Sequence, residues 1–511
     1  MGITSIAQLI FRNRAKELEH YFTQPESLQR TMLQRLVLRA ADTLYGTEHS
    51  FRNIITPTGI ADYDAFRRLV PVNTYEELKE GIDRMRHGEK DILWPGQVKW
   101  YAKSSGTTND KSKFIPVSKE GLQHIHYAGG TDTVVWYLQN NPKSRLFDGR
   151  ALILGGSHSP NYNVADSLVG DLSAILIENI NPLVNLVRVP DKKTALIGDF
   201  EKKRELIARQ CLNKNVTNIS GVPSWMMSVL TRVMELSGKT HLEEVWPNLE
   251  VFFHGGIAFT PYRKQYEQLI TKPDMHYMET YNASEGFFGV QNDPHDPSMM
   301  LMIDYEVFYE FAPMDAIADD GSLMDPNKVV PLWGVEPGKN YAVIISTSCG
   351  LWRYLIGDTV IFTSAKPYKF IITGRTKSFI NAFGEELIVD NAERGLHYAC
   401  QQTGAEVREY TAAPVFRSEG VVPHHQWLIE FTREPEDLDA FARILDAKLQ
   451  ELNSDYEAKR FKDINMICLK IVKARCDQFN DWLKAKGKLG GQHKVPRLSN
   501  NRKIIEEILS N

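Results

Sequence analysis

The run Leu249-Glu250-Val251-Phe252-Phe253-His254-Gly255-Gly256 has the composition of a buried β-strand that ends in a glycine turn, and Thr260-Pro261 then begins a helical pattern. Two earlier segments repeat this order. Arg150 to Gly156 is apolar and ends in two glycines, and Asn215 to Ile219 is followed by a helical stretch from Ser224 to Leu236. Strands that alternate with helices predict a parallel sheet, with ligands at the carboxyl ends of its strands.

Other patterns flank this region on both sides. Before about residue 95 the chain is mainly helical: Ser27 to Leu44 has apolar residues at helical spacing, and Thr74-Tyr75-Glu76-Glu77 is a capping-box start. After Met299 the spacing of strand-like runs becomes short, which favours antiparallel pairing. The strand candidates there are Met300 to Phe311, Tyr341 to Ser346, Thr359 to Thr363 and Tyr368 to Thr373.

A turn-rich segment at Thr373-Gly374-Arg375-Thr376-Lys377 divides the chain. Beyond it the sequence predicts strands near Glu409–Val415, Gln426–Phe431 and Ile464–Val472, and a helix from about Glu436 to Leu452. We predict an α/β protein of two domains. Residues 1–376 form a large N-terminal domain of mixed sheets with flanking helices, and residues 377–511 form a small α+β C-terminal domain.

The bulk composition restricts the class of protein. The 511 residues are 42% hydrophobic and 24% charged, as in a soluble globular protein. A formal charge of −4 gives no reason to expect nucleic acid or an anionic membrane as a partner. Five widely spaced cysteines favour a reducing cytoplasm over a disulfide framework. Ile3 to Phe11 reads as an amphipathic helix and not a signal peptide, and no run of 18 apolar residues is present.

The segment Lys103-Ser104-Ser105-Gly106-Thr107-Thr108-Asn109-Asp110-Lys111-Ser112-Lys113 places hydroxyls around one glycine, with lysines close by. Such a loop can direct backbone N–H groups, hydroxyls and ammonium groups to one polyanion, as phosphate-binding nests do. It is not a Walker A loop, because no Gly-Lys-Ser/Thr follows at the required spacing. Taken alone, the segment is equally well explained as a polar surface loop.

Three further segments carry potential chemistry: Tyr281-Asn282-Ala283-Ser284-Glu285-Gly286, Arg353-Tyr354-Leu355-Ile356-Gly357-Asp358-Thr359-Val360 and Gly490-Gly491-Gln492-His493-Lys494-Val495-Pro496-Arg497. Each has a simpler interpretation by itself. Ser284-Glu285 fits a helix cap, Asp358 fits a turn between hairpin strands, and Lys494 fits a solvated basic tail. Together with the hydroxyl loop, however, they form the set that a nucleotide-consuming ligase needs.

In this order, the motifs resemble those of the auxin-responsive Gretchen Hagen family of acyl acid amido synthetases, within the adenylate-forming superfamily. The family's first motif, Ser-Ser-Gly-Thr-Ser/Thr with a later Gly and Lys, is matched by Ser104 to Thr108 and Lys113. Tyr281, Ser284 and Glu285 match its Tyr-x-x-Ser-Glu motif, and Tyr354, Gly357 and Asp358 match its Tyr-x-x-Gly-Asp motif. Asp110 departs from the pattern, since it places a carboxylate where the family usually has glycine.

The resemblance implies an adenylate-forming, luciferase-like fold with a mobile C-terminal domain, and the compact chain favours a bacterial member. It also implies a reaction in two steps. A carboxylic acid attacks the α-phosphate of ATP to give acyl-AMP and pyrophosphate, and the amine of an amino acid then displaces AMP to form an amide. ATP and Mg²⁺ are the expected cofactors, and the expected partners are a small carboxylic acid and an amino acid, with no nucleic acid and no membrane.

By the same resemblance, the nucleotide contacts come from the hydroxyl loop and the two later motifs. The residues concerned are Ser104, Ser105, Gly106, Thr107, Thr108, Lys113, Tyr281, Ser284, Asp358 and Arg375. Tyr281 would lie against adenine, and Asp358 would accept hydrogen bonds from the ribose hydroxyls. Glu285 would ligate Mg²⁺, which prefers carboxylate and phosphate oxygens. Lys494 would enter with the C-terminal domain and stabilise the transferring phosphoryl group.

The side chains that would contact the acid are less clear. The resemblance points to the helical segments after the hydroxyl loop and after the second strand, which carry His124, Tyr127, Val222 and Trp225. An aromatic or long-chain acid would fit such side chains. Aromatic residues at helical spacing more often belong to a protein core.

The residues leave four other functions to compare with this one. An acyl-CoA ligase would use the same adenylate with a different acceptor. A serine hydrolase is poorly supported, because the segments around Ser284 and Ser157 each miss the nucleophile-elbow motif at one position. A non-catalytic nucleotide-binding module would not need catalytic groups in both domains. A metal hydrolase lacks the H-E-x-x-H pattern.

Overall fold

The computed structural model describes residues 3–104, 113–182, 184–256, 259–318, 321–376, 379–380, 382–383, 385, 387–416, 421–460, 466–486, 495–499 and 501–510. In chain order its α-helices are α1 Ile3–Glu17, α2 His20–Thr23, α3 Pro25–Ala40, α4 Leu44–Glu48, α5 Tyr63–Leu69, α6 Tyr75–Arg86, α7 Ala128–Asn140, α8 Leu172–Asn179, α9 Lys192–Ala195, α10 Phe200–Leu212, α11 Pro223–Ser237, α12 Thr260–Leu269, α13 Val389–Thr403, α14 Leu438–Leu452, α15 Ser454–Arg460, α16 Gln478–Ala485 and α17 Lys503–Leu509.

The helix boundaries follow from local chemistry. Thr74 and Glu77 close the predicted capping box at the start of α6, where the Thr74 backbone N–H donates to Glu77 Oε2 at 2.6 Å. Pro223 occupies the first position of α11, and Gly238 ends that helix in the left-handed region at φ 66°. Within the described segments, none of the helices combines the length and hydropathy that crossing a bilayer requires.

The strands, again in chain order, are β1 Trp100–Ser104, β2 Lys113–Val117, β3 Arg150–Ile153, β4 Leu168–Gly170, β5 Arg188–Val189, β6 Val216–Gly221, β7 Val251–Gly255, β8 His276–Ala283, β9 Gly286–Val290, β10 Met299–Leu301, β11 Val307–Pro313, β12 Val330–Pro331, β13 Asn340–Thr347, β14 Tyr354–Ala365, β15 Tyr368–Arg375, β16 Phe379–Ile380, β17 Leu387–Ile388, β18 Glu406–Val415, β19 His424–Arg433 and β20 Lys470–Lys473. Most of them join one mixed sheet of order β12-β11-β13-β14-β15-β10-β9-β8-β7-β6-β3-β5.

The large sheet changes from parallel to antiparallel pairing along its width. Strands β5, β3, β6, β7 and β8 are parallel neighbours, as the strand–turn–helix segments predicted. Strand β9 pairs antiparallel with β8, and the later strands continue the same sheet in antiparallel pairs. The predicted α/β fold class with mixed sheets and flanking helices is confirmed.

One predicted strand, Met300 to Phe311, is wrong. The segment forms two strands, β10 and β11, in different parts of the sheet. Between them Asp304 accepts hydrogen bonds from the Arg14 guanidinium at 2.8 and 3.0 Å, and Glu306 adopts a positive φ of 55°. The hydrophobicity of the sequence does not reveal this turn, because the strands on both sides of it are buried and therefore apolar.

A second, smaller sheet holds the ends of the hydroxyl loop. Strand β1 lies between β2 and β4, and it pairs antiparallel with β2 from Trp100↔Val117 to Ser104↔Lys113. Residues 105–112 connect the two paired strands and lie outside the described residues. The base of the loop is therefore a regular hairpin.

The C-terminal part has its own sheet, β18-β19-β20, covered by α13 and α14. Its core is a cluster of buried apolar side chains that includes Leu396, Trp427 and Phe441. The predicted strand Ile464–Val472 corresponds to Lys470–Lys473, and residues 461–465 lie outside the described residues. The division into domains at residues 376 and 377 stays a prediction.

A buried ion pair ties the N-terminal helices to the large sheet. Arg353 donates to both carboxylate oxygens of Glu310 at 2.8 Å, and the two side chains are 2% and 1% exposed. The same guanidinium donates to the carbonyl oxygens of Arg67 and Val70, at 3.1 and 2.8 Å. Tyr63 adds a hydrogen bond to Glu310 at 2.9 Å. These contacts fix the start of β14, which carries the third motif.

We predict that Arg353→Met lowers the free energy of unfolding by about 3–5 kcal/mol, because Glu310 would be left charged and buried without its partner. Urea unfolding followed by circular dichroism would measure the change. Arg68→Met, an exposed position on α5, is the matched control. The double variant Arg353→Met with Glu310→Leu should lose less than the sum of the single variants, and simple additivity would contradict the explanation.

Candidate functional site

The second motif lies in a tight hairpin between β8 and β9. Ala283 pairs with Gly286, so Ser284 and Glu285 form the connecting turn. The helix-cap interpretation of these residues is therefore wrong. Both side chains are buried, at 5% and 8% exposure. Burial raises the pKa of Glu285, and the nearby positive charge of Lys113 opposes that rise. The carboxylate offers oxygen atoms of the kind that a hard cation prefers.

Asp358 lies inside strand β14 and not in a hairpin turn. It is directly opposite Arg375 of β15, and its Oδ1 lies 3.0 Å from Arg375 Nε. The preceding residue, Gly357, has a φ of 93°, which an L-residue with a side chain would adopt only under strain. The third motif therefore places a carboxylate and a guanidinium side by side on neighbouring strands.

Tyr281 connects the second motif to the third. Its hydroxyl donates a hydrogen bond to Asp358 Oδ2. The ring packs edge-on against Phe288 and Phe370, with ring centroids 5.0 and 6.1 Å apart. Burial, and then the charge of Asp358, raise the pKa of the Tyr281 hydroxyl well above its usual range, so Tyr281 stays a neutral donor. The large sheet thus brings Tyr281, Asp358 and Arg375 into contact, and their roles toward a nucleotide stay predictions.

The base of the hydroxyl loop faces the same region. Ser104 and Lys113 are paired across the β1–β2 hairpin. Lys113 Nζ lies 5.7 Å from the centroid of the Tyr75 ring, and its charge reaches Glu285. The remaining predicted contacts of the loop and the catalytic lysine are outside the described residues. They are Ser105, Gly106, Thr107, Thr108 and Lys494, together with Asp110.

The four candidates for the acid lie in different environments. His124 is exposed on a π-helical turn, Gly121–Tyr127, which connects the hairpin to α7. Tyr127 is half-buried, and its hydroxyl donates to the carbonyl oxygen of Leu176 at 2.8 Å. Val222 and Trp225, at the start of α11, are also partly buried. The four roles stay predictions.

His126 is a polar residue of this region that the sequence interpretation missed. It is 3% exposed, and its Nδ1 lies 3.2 Å from Oδ1 of Asn282 in the second motif. Burial lowers its pKa to about 4, so the imidazole is neutral at physiological pH. A π-helical turn changes which side chains share a face. Ordinary helical spacing therefore does not show which histidine of His124-Ile125-His126 points inward.

The glycine turn after β3 has a structural explanation. Lys203 is 5% exposed and donates to the carbonyl oxygens of Gly155 and Gly156 at 2.5 and 2.8 Å. The backbone N–H of Ser157 donates to Asp171 Oδ2 at 2.8 Å. Across the described ranges, the Ser157 hydroxyl makes no hydrogen bond to a histidine. The geometry of a serine nucleophile and its base is therefore missing at this turn.

Three family models match consecutive parts of the sequence. The model described as the GH3 family N-terminal domain matches residues 14–275, the central domain matches 300–375, and the C-terminal domain matches 390–503. The chain belongs to the GH3 family. This is the family whose motifs the sequence resembles, so the family prediction is confirmed.

GH3 proteins of plants align with nearly the whole chain. A protein described as probable indole-3-acetic acid-amido synthetase GH3.1, from Arabidopsis thaliana, is 23% identical over 577 residues, which cover 96% of this chain and 92% of that protein. The 4-substituted benzoates-glutamate ligase GH3.12 of the same organism is 21% identical over 575 residues, covering 96% of each.

Solved structures share the fold. The GH3.15 acyl acid amido synthetase superposes with a TM-score of 0.77 at 18% identity, over 97% of this chain and 96% of that one. A 2-hydroxyisobutyryl-CoA ligase in complex with R3-HIB-AMP superposes with a TM-score of 0.58 at 12% identity, over 96% and 94% of the two chains. Both likenesses agree with the adenylate-forming fold that the motifs led us to expect.

The environment of Lys203 predicts a pH-dependent contribution to stability. Burial lowers its pKa from the usual 10.5 to about 8. Between these values the unfolded chain binds more protons than the folded chain. The free energy of unfolding should therefore rise with pH across this window, with a Lys203 contribution approaching about 1.4 kcal/mol per pH unit.

Lys203→Met should remove that contribution, which urea unfolding at pH 7.5, 8.5 and 9.5 would measure. Lys202→Met changes the exposed neighbour on α10 and should keep the slope of the unaltered protein. An unchanged slope in Lys203→Met would show that another group is responsible.

Proposed function

We propose that the protein is an AMP-forming ligase that joins a carboxylic acid to the amino group of an amino acid. The central support is the contact of Tyr281, Asp358 and Arg375, next to the buried Glu285, in a chain of the GH3 family. Relatives described as indole-3-acetic acid-amido synthetase and as benzoates-glutamate ligase support an amide product.

In the first step, the acid carboxylate would attack the α-phosphate of ATP. A carbon–oxygen–phosphorus link forms, and the bond between the α-phosphorus and the bridging oxygen breaks to release pyrophosphate. Two anions must approach each other, so the protein contributes positioning and positive charge. Lys113 supplies charge at the base of the hydroxyl loop, and Ser104, Ser105, Gly106, Thr107 and Thr108 would supply hydrogen-bond donors.

The nucleotide would be held by the carboxyl ends and turns of the large sheet. Tyr281 would lie against adenine, and Asp358, whose side chain is 18% exposed, would accept hydrogen bonds from the ribose hydroxyls. Arg375 balances the charge of the Asp358 carboxylate, and Ser284 lies in the turn between β8 and β9, near which the α-phosphate would bind. All of these groups belong to one sheet, so their spacing is set by backbone hydrogen bonds.

Glu285 would hold Mg²⁺. Its carboxylate is buried, and carboxylate oxygens suit a hard cation. When bound, Mg²⁺ neutralises phosphate oxygens and so favours attack by an anion.

In the second step, the amine of an amino acid would attack the acyl carbon of the adenylate. A carbon–nitrogen bond forms, the acyl–oxygen bond breaks, AMP leaves, and the amine loses a proton to solvent or a nearby base. The acid would be contacted by His124, Tyr127, Val222 and Trp225. We further propose that residues 377–511 move as a domain and bring Lys494 to the phosphates.

A substrate matrix tests the function directly. Carboxylic acids, with aromatic and long-chain acids first, are mixed with ATP, Mg²⁺ and a pool of amino acids, and AMP release and product masses are measured. We expect AMP only with a suitable acid, and an amide mass that requires the amino acid. A thioester formed with coenzyme A and no amide would identify an acyl-CoA ligase. Absence of AMP with every acid would refute an adenylating enzyme.

We predict that Lys494→Ala binds ATP but forms adenylate roughly 10²–10³ times more slowly, as expected for loss of an electrostatic stabiliser. Pyrophosphate release measures the first step, and calorimetry measures ATP binding. Lys484→Ala, an exposed lysine on α16, is the control. Near-normal pyrophosphate release by Lys494→Ala would end this assignment.

A further inference from the structure

Two side chains from different strands hold Asp358, one by an ion pair and one by a hydrogen bond. Arg375 of β15 lies 3.0 Å from Oδ1, and the Tyr281 hydroxyl of β8 donates to Oδ2. A carboxylate offers about four acceptor positions, two on each oxygen. Among the described residues, no other side chain bonds to Asp358, so one acceptor position on each oxygen is left for a ligand, and the side chain is 18% exposed.

Two free acceptor positions on the two oxygens of one carboxylate match a vicinal diol, which presents two O–H donors on adjacent carbons. A match of this kind requires a fixed carboxylate plane, because rotation about the side-chain bonds would move one oxygen out of reach. An ion pair on one oxygen and a charge-assisted hydrogen bond on the other provide such a restraint. Arg375 is partly exposed at 41%, whereas Tyr281 is 7% exposed and enclosed by Phe288 and Phe370.

We propose that Tyr281 is a positioning residue for Asp358, and that its hydroxyl sets the preference of the site for a ribonucleotide over a 2′-deoxyribonucleotide. This inference rests on the proposed nucleotide site and adds a role for Tyr281 beyond a contact with adenine. The tyrosine ring supplies the apolar surface, while the hydroxyl acts through Asp358. The two parts of one side chain can therefore be tested separately.

Tyr281→Phe keeps the ring and removes only the donor. We expect the unaltered protein to bind AMP at least 10-fold more tightly than 2′-deoxyAMP, because the missing hydroxyl leaves one acceptor of Asp358 without its partner. In Tyr281→Phe the affinity for AMP should fall roughly 10-fold, while that for 2′-deoxyAMP changes by less than about twofold. The ratio of the two dissociation constants, measured by calorimetry, is the readout.

A purely structural role would weaken both nucleotides equally and leave the ratio unchanged, which would overturn the proposal. Tighter AMP binding by Tyr281→Phe would also overturn it, because the hydroxyl would then be a competitor of the ribose. Tyr309→Phe is the matched control, since that buried hydroxyl donates to the carbonyl oxygen of Met302 at 3.0 Å, away from Asp358. It should keep the ratio of the unaltered protein.

A double-mutant cycle keeps the test informative if one variant is less stable. In an Asp358→Asn background, Tyr281→Phe should cause no further change in the ratio, because the positioned group is already altered. A further change of this ratio in that background would show that Tyr281 does not act through Asp358. Calorimetry with AMP does not depend on acid or amino acid turnover, so failure of the ligase assignment and failure of this inference give different results.

Discussion

The buried ion pair of Arg353 and Glu310 is the interaction on which the centre of the molecule depends. Two opposite charges are removed from water where α5, β11 and the start of β14 meet. The desolvation cost is offset only while the complete set of hydrogen bonds is present. The pair therefore favours one arrangement of these segments over others, and Tyr354 begins the third motif at that point. A site built on this strand is held by a local network that tolerates little displacement.

The large sheet extends this fixed arrangement to the nucleotide site. Strands β14, β15, β10, β9 and β8 are consecutive neighbours, so the strand of Asp358 and the hairpin of Glu285 are joined by backbone hydrogen bonds. Groups on regular elements are held more accurately than groups on loops, which suits a reaction that relies on geometry and charge. The strands on both sides of the hydroxyl loop belong to another sheet, and Lys113 lies close enough to Glu285 for its charge to act on that carboxylate.

Sequence patterns predicted those parts of the fold that local chemistry decides. Such parts are the parallel strands after Arg150 and the capping box at Thr74. The three motifs, taken together, predicted the family. Tertiary structure decided the rest. A pair such as Ser284-Glu285 reads as a helix cap unless the pairing of β8 with β9 is known, and the choice between His124 and His126 depends on a π-helical turn. Ordinary periodicity contains no signal for either feature.

The side chains proposed for the nucleotide and those proposed for the acid stand on different kinds of backbone. Tyr281 and Asp358 belong to strands, where a shift of one residue would move every side chain to the opposite face. Tyr127 and Trp225 belong to helical segments that pack on the sheet, where single exchanges leave strand register intact. Inherited variation can therefore accumulate around the acid while the nucleotide chemistry is retained. Such a layout favours the descent of many acid preferences from one ancestral ligase.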